Sequence, residues 1–286
     1  MISTPEGYDG FYEYFIHAQK APMWHAFNSP SWENTYSFPD GEKDEDLVEA
    51  KSSMTREIYD QEFKAEFTAL SGRVYADFSR QSHIGNHPYN SMLPVYLTLD
   101  FGYRMPAAIF FQTAKIGGKG KDHIFIIDEI LHEKNLKISE LCEAVQKKNY
   151  RIARVYGDPA GYQMQSSVGM GEADIFRQIT GLPVISRRDR YSRSIQSGIS
   201  HVRQYMMSAD GDIRLHIDKA CSGIVEDIES YRYPEHKEGS SLKNEPLKDG
   251  FHDHGADSLR YGICGRFPIR QQQYKVSKRW LNKHNI

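Results

Sequence analysis

The sequence predicts an α/β fold in which helices pack on the faces of one mixed β-sheet. Apolar runs at 95–100, 107–113 and 123–130 follow one another with short connections, a pattern that indicates an antiparallel meander. A segment with helical periodicity at 138–149 and a further apolar run at 152–158 come next. A strand, a helix and another strand in this order favour a mixed sheet with helices on its faces.

The composition is that of an ordinary globular chain. Its 286 residues suffice for one large or two modest domains, and 39% of them are hydrophobic and 26% charged. The formal net charge is −2, so any nucleic-acid surface must be local. The wide spacing of Cys142, Cys221 and Cys264 argues against a disulfide framework or a structural zinc site and favours reduced thiols. No apolar run approaches the ~20 residues of a membrane span, and the N-terminus has no signal-peptide pattern, so no membrane partner is expected.

The first third of the chain predicts little regular structure. Phe11, Tyr14 and Phe15 recur at helical spacing and predict a short aromatic helix. Residues 21–50 are rich in Pro, Ser and Asn and then acidic, which indicates a loop and a domain boundary. A helix is predicted within 51–70, beginning near Ser52 or Ser53, and the alternating segment RVYADF that follows predicts a strand.

The second half predicts further helices and short strands. The predicted helices are 172–180, 194–207, 221–229 and a last one from about His252 to about Cys264; the predicted strands are 182–186 and 213–217, and 234–250 is a loop or hairpin.

Ligand-type side chains stand at the ends of these elements. Asp100 and Asp158 each end an apolar strand, so neighbouring strands would bring their carboxylates to one sheet edge. Asp257 lies near the start of the last helix, and His254 lies three residues earlier on the same helix face. Carboxylate oxygens suit Mg²⁺ or Mn²⁺, and a cation would relieve their mutual repulsion. Two such ions about 4 Å apart can activate a water and stabilise the leaving oxygen of a phosphodiester, which is nuclease chemistry.

The same residues have a plainer interpretation. An Asp after a strand is more often a turn or helix cap than a metal ligand. Asp253 could be the N-cap of the last helix, and His252 a solvated loop residue. Spacing alone leaves both interpretations open.

Four segments resemble the C-terminal part of the large terminase subunit of tailed bacteriophages. STPEGYDGFYEYF resembles the coupling motif that ends the ATPase domain, and EFKAEFTALSGRVYADF resembles the segment between the ATPase and nuclease domains. LTLDFGYRMPAAIFF resembles the first nuclease motif, and HDHGADSLRYGI resembles the last. The resemblance implies a ribonuclease H-like nuclease domain at 86–268. It also implies an ATPase remnant at 1–20, a linker at 21–85 and a basic tail at 269–286.

The resemblance also assigns roles to the acids. It implies that Asp100 bridges two Mg²⁺ or Mn²⁺ ions, that Asp158 and Asp257 each complete one site, and that His254 is a ligand or orients Asp257. Glu129 is a possible extra acid. The function implied is an endonuclease that cuts concatemeric viral DNA by two-metal phosphodiester hydrolysis. The implied partners are double-stranded DNA, the portal protein or prohead and the small terminase subunit, and the implied location is the host cell cytoplasm.

One feature of the family is missing from this sequence. No G-x-x-x-x-G-K-[ST] phosphate-binding loop occurs, so ATP hydrolysis by this chain is not expected. The chain is therefore expected to be a fragment or the product of a split gene.

Clustered cations are the candidate DNA contacts. Phosphate contact is expected from Arg187, Arg188, Arg190 and Arg193 in SRRDRYSRS, and from Lys119 and Lys121 in GGKGKD. The alternative is a solvated basic turn. Such contacts would be independent of sequence and sensitive to salt.

Three other functions compete with the terminase interpretation. A ribonuclease H-like resolvase or integrase would share the acids but would have no coupling-like motif before them. A non-catalytic module could use the same fold to dock DNA or the portal. HDHGAD also approaches the zinc motif of metallo-β-lactamase-like hydrolases, but its second Asp is displaced by one position and the following His is absent.

Overall fold

The computed structural model describes residues 10–67, 72–102, 105–117, 120–163, 169–187, 189, 194–234 and 245–269. Within these residues the strands are β1 (Ile84–Gly85), β2 (Val95–Asp100), β3 (Ala107–Ile116), β4 (Lys121–Ile130), β5 (Ile152–Gly157), β6 (Val184–Ile185) and β7 (Leu215–Asp218). The helices are α1 (Gly10–Lys20), α2 (Glu45–Ser53), α3 (Arg56–Lys64), α4 (Arg80–His83), α5 (Ile138–Lys147), α6 (Glu172–Thr180), α7 (Ile195–Met206), α8 (Ser222–Ser230) and α9 (Asp253–Arg266). Short 3-10 turns occupy Ser31–Glu33, Gly41–Lys43 and Pro159–Tyr162.

The described strands form one mixed sheet in the order β1-β7-β4-β3-β2-β5-β6. The predicted meander is confirmed, because β2, β3 and β4 pair antiparallel. The chain returns through α5 to β5, which pairs parallel with β2, and β6 then pairs parallel with β5. The predicted α/β fold, a mixed sheet flanked by helices, is confirmed.

Apolar side chains are buried on both faces of the sheet. On one face, Phe111 and Ile126 pack with Ile199 of α7, Ile224 of α8 and Leu259 of α9. On the other face, side chains of β2 and β3 pack against α5 and α6. Both faces are covered, so the central strands are almost continuously apolar, as expected for buried sheets.

The last helix crosses β2 and β5 at close range. A Cβ at Gly262 would lie 2.8 Å from Thr98 Cβ, and a Cβ at Gly265 would lie 2.4 Å from the Tyr156 ring. Thr98 Oγ1 also donates a 2.6 Å hydrogen bond to Ser258 O. Glycine at these positions therefore allows α9 to lie directly on the strands whose ends carry the acids.

The first third of the chain is more ordered than predicted. The acidic stretch assigned to a loop forms α2, with the Asp44 side chain accepting from Asp46 N at its start. Thr55, rather than Ser52 or Ser53, caps the next helix, α3, by accepting from Ile58 N. Acidic and hydroxyl side chains satisfy the free N–H groups of a first helical turn, so this stretch carried a start signal.

The predicted strand RVYADF is wrong. Arg73 makes one bridge to Arg232, and the chain then turns. Val74 and Tyr75 are both buried, so their side chains do not alternate between a core and a solvent face. Phe78 N instead donates to Tyr75 O and closes a turn.

Arg203 of α7 joins the first third of the chain to the sheet domain. It is 5% exposed, its Nε donates to Asp77 Oδ2 at 2.8 Å, and its Nη2 contacts Glu57 Oε1 of α3. The three cysteines are free and buried, in line with the expectation of reduced thiols. No helix in the described ranges is long and apolar enough to cross a membrane.

Candidate active site

Two acids predicted to share a sheet edge do so. β2 and β5 run parallel with Leu99 opposite Gly157, so Asp100 and the following Asp158 leave adjacent strands at the same end. Side chains two positions apart in a strand share a face, and Thr98 contacts α9, so Asp100 also faces that helix. Asp100 is 8% exposed and Asp158 is partly buried.

The start of α9 adds an imidazole and a third carboxylate. His254 Nδ1 lies 2.7 Å from Asp100 Oδ2, and Asp257, one turn later, is 3% exposed. Gly102, just after β2, makes room for this pair, because a Cβ there would lie 2.7 Å from His254 Cε1. The resemblance implies that His254 is a ligand or orients Asp257; in the structure its imidazole contacts Asp100 instead.

The charges of the three acids act on one another. Burial raises the pKa of Asp100, and the negative charges of Asp257 and Asp158 raise it further, against the hydrogen bond with His254. That hydrogen bond raises the pKa of His254, although burial lowers it. Asp100 therefore carries its charge at a cost that a nearby cation would reduce.

Asp257 has two cationic partners that sequence reasoning missed. Arg260 Nη2 donates to Asp257 Oδ1 at 2.8 Å, and Lys248 Nζ donates to Asp257 Oδ2 at 3.1 Å. Burial lowers the pKa of Lys248, but the charges of Asp257, Asp253 and Asp100 together raise it above its ordinary value. The i,i+3 spacing of Asp257 and Arg260 was a usable signal for one contact. No sequence pattern predicts the Lys248 contact, because Lys248 reaches Asp257 from an irregular segment.

The carboxylate oxygens of Asp100, Asp158 and Asp257 suit a hard divalent cation, but they do not surround a formed metal site. Within the described residues, no group of three or more His, Cys, Asp or Glu side chains is arranged to hold a metal ion. Asp257 already has two cationic partners, and Asp158 Oδ1 accepts from Ala160 N at 2.9 Å as the cap of a short turn. The chemistry of three oxygen donors that repel one another fits Mg²⁺ or Mn²⁺. Asp257 and Asp158 would each have to release at least one present partner before binding the ion.

Other predicted residues lie elsewhere. Both oxygens of Glu129 accept from the start of α8, from Gly223 N at 2.7 Å and Ile224 N at 2.8 Å. Asp253 does not cap the last helix: it is the first helical residue, and its Oδ1 accepts from Gly250 N. His252 occupies the cap position, but its side chain makes no hydrogen bond to the first turn of the helix. His252 pairs with Asp249 through Nδ1 at 2.6 Å.

The expected DNA-contacting cations are only partly described. Arg187 pairs with Asp189 at 3.1 Å. Lys121 begins β4 at the sheet end opposite Asp100 and pairs with Asp212 at 2.7 Å. The other four, Arg188, Arg190, Arg193 and Lys119, lie outside the described residues.

Comparison with known proteins finds similarity to large terminase subunits of bacteriophages. No family model matches the chain. It is 20% identical over 275 residues to the terminase large subunit of Escherichia phage T5, a match that covers 92% of this chain and 57% of that protein. Two crystal forms of the large terminase from the thermophilic bacteriophage D6E match with TM-scores of 0.60 and 0.59, each at 15% identity. They cover 92% and 85% of this chain and 60% and 62% of those chains, so this chain spans about three fifths of its relatives.

Proposed function

Since the chain is a relative of large terminase subunits of the nuclease type, we propose that it is a metal-dependent DNA endonuclease that cuts concatemeric viral DNA. The observation that carries the proposal is the 2.7 Å contact between Asp100 and His254, with Asp257 and Asp158 near enough for their charges to act on Asp100. Two strand-end acids could be caps, but Asp100, whose pKa is raised by burial and further by the charges of two other acids, is more than a cap requires. Binding of divalent cations accounts for this arrangement.

Each residue has a proposed role. Asp100, Asp158 and Asp257 would be the residues that hold the metal ions. His254 fixes the orientation of Asp100 through its 2.7 Å contact. Mg²⁺ or Mn²⁺, when bound, would activate a water and stabilise the leaving oxygen of the scissile phosphate. The protein's own contribution is to gather and orient the acids on a rigid sheet edge.

The partners are proposed on the same basis. Double-stranded DNA is the substrate, with Arg187 and its neighbouring arginines as phosphate contacts. The portal or prohead and the small terminase subunit are the proposed packaging partners, and the host cytoplasm is the proposed location. ATP hydrolysis is not expected from this chain.

Plasmid nicking tests the proposal. The wild type should convert supercoiled plasmid to nicked circles with Mn²⁺ or Mg²⁺ and not with EDTA. Asp100→Asn and Asp257→Asn should both lose this activity while remaining folded. A folded, DNA-binding wild type that is inert with every metal would overturn it.

A second candidate function is a non-catalytic docking module for DNA or the portal. The pairing of Asp257 with Arg260 and Lys248 favours it, since these contacts neutralise the carboxylate without any metal. Under this alternative, Asp257→Asn should leave DNA binding intact and the wild type should show no metal-dependent nicking.

A further inference from the structure

The two oxygens of Asp257 face two different kinds of cation. Oδ1 accepts from the Arg260 guanidinium at 2.8 Å, and Oδ2 accepts from the Lys248 ammonium at 3.1 Å. Asp257 itself is 3% exposed, so its carboxylate has little contact with water. The two cations differ in how easily they can leave.

Arg260 is held firmly in place. It is 4% exposed, and its guanidinium carbon lies 4.5 Å from the centroid of the Tyr261 ring. Its stem crosses α7 at Gly198, where a Cβ would lie only 2.7 Å from Arg260 Cδ. Removing Arg260 from Oδ1 would require opening the contact between α7 and α9 and leaving a buried charge unpaired. Oδ1 is therefore permanently occupied.

Lys248 is held much more loosely. Its side chain is 59% exposed and belongs to the irregular segment before α9. A lysine has a flexible four-carbon stem and a strongly hydrated head, so it gives up an exposed ion pair at small cost. Oδ2 is the oxygen of Asp257 that an incoming ion can take.

We propose that Lys248 is the resident counterion of Asp257 Oδ2, which a divalent cation must displace, and that Arg260 restricts Asp257 to binding that cation through Oδ2 alone. This inference rests on the proposed nuclease site. An ammonium and a divalent cation cannot share one carboxylate oxygen without strong repulsion, so the two compete. Lys248 thus sets how much free metal is needed to load the site and keeps the acids partly neutralised before loading.

Metal binding without DNA tests the proposal. Free Mn²⁺ is measured by electron paramagnetic resonance during titration of the full chain at low ionic strength. Lys248→Met should lower the dissociation constant for Mn²⁺ about threefold to fivefold, the effect of removing a competing exposed ion pair. Lys248→Arg keeps the charge and should bind Mn²⁺ no more tightly than the wild type does.

Lys147→Met is the matched control. It removes the same charge from the exposed C-terminal end of α5, at the sheet end far from the acids, and should leave Mn²⁺ binding unchanged. Asp100→Asn tests the metal site itself, because this variant should weaken Mn²⁺ binding whether or not Lys248 competes with the ion.

The outcomes separate this inference from the proposed function. Unchanged or weaker Mn²⁺ binding by Lys248→Met, together with weakened binding by Asp100→Asn, overturns the role of Lys248 and leaves the metal site standing. Mn²⁺ binding that is absent in the wild type, or unaffected by Asp100→Asn, overturns both.

Discussion

Gly262 is the position where stability and the candidate site depend on the same contact. Alanine there would place a Cβ 2.8 Å from Thr98 Cβ, 2.9 Å from Thr98 Cγ2 and 3.1 Å from Phe111 Cε1. Thr98 is fully buried and tied to Ser258 O by its hydroxyl, and Phe111 lies in the core, so neither neighbour can yield cheaply. The helix α9 must therefore move away from β2.

The expected cost follows from two opposing terms. Glycine to alanine inside a helix normally stabilises by up to about 1 kcal/mol. Overpacking a rigid core costs about 1–3 kcal/mol, and contacts this short lie toward the upper end. Gly262→Ala should therefore lower the free energy of unfolding by about 1–2 kcal/mol net.

Urea unfolding followed by circular dichroism measures this change through the midpoint, with the slope unchanged. Thr98→Ser removes Cγ2 but keeps the hydroxyl, so the double variant should recover part of the loss relative to Thr98→Ser alone. Gly10→Ala is the control, because a Cβ at Gly10 meets nothing within 4 Å. A Gly262→Ala protein as stable as the wild type would refute the close packing of α9 on β2.

Three further outcomes are expected. Arg203 is buried but its partners Glu57 and Asp77 are partly exposed, so Arg203→Met should lower the free energy of unfolding by about 2 kcal/mol, measured by urea unfolding. Arg80→Met, at an exposed pair, should not shift the urea midpoint measurably, and equal effects of the two variants would contradict the linking role of Arg203. Burial, reinforced by neighbouring histidines, lowers the pKa of His216 to about 4 from 6.5, so the unfolded chain takes up its proton first. The free energy of unfolding should therefore fall as pH drops from 6.5 toward 4, and His216→Gln should show less of this loss; identical pH profiles would contradict the assignment. His254→Ala should reduce metal-dependent nicking by about tenfold to a hundredfold without abolishing it, as expected for a group that orients a ligand, whereas complete loss would mark His254 as essential as Asp100.

The sequence was most informative where burial is continuous. The apolar runs of β2 to β5 predict central strands, because each run could be buried only in the interior of a sheet. The secondary structure of the first third of the chain was harder to predict, because its helices are short. Their capping residues, Asp44 and Thr55, lie within polar stretches that are also typical of loops. The strand prediction for the segment after Gly72 failed because a turn buried in a core contains the same apolar residues as a strand.

The candidate site was partly predictable for a geometric reason. Asp100 and Asp158 follow directly from parallel strands that end at one edge, and Asp257 follows from the start of a helix laid across them. The cations around Asp257 were not predictable in the same way. Lys248 approaches through an irregular segment, so its contact with Asp257 depends on tertiary placement that no local pattern encodes.

The claim that three acids hold two divalent ions is tested most directly by anomalous scattering from crystals soaked in Mn²⁺. The account predicts two anomalous peaks at the sheet edge, both within ligand distance of Asp100, one shared with Asp158 and the other with Asp257, and Lys248 moved away from Asp257. Crystals without a peak at this edge, with Lys248 and Arg260 still on Asp257, would contradict the metal site and leave the docking module as the function of this fold.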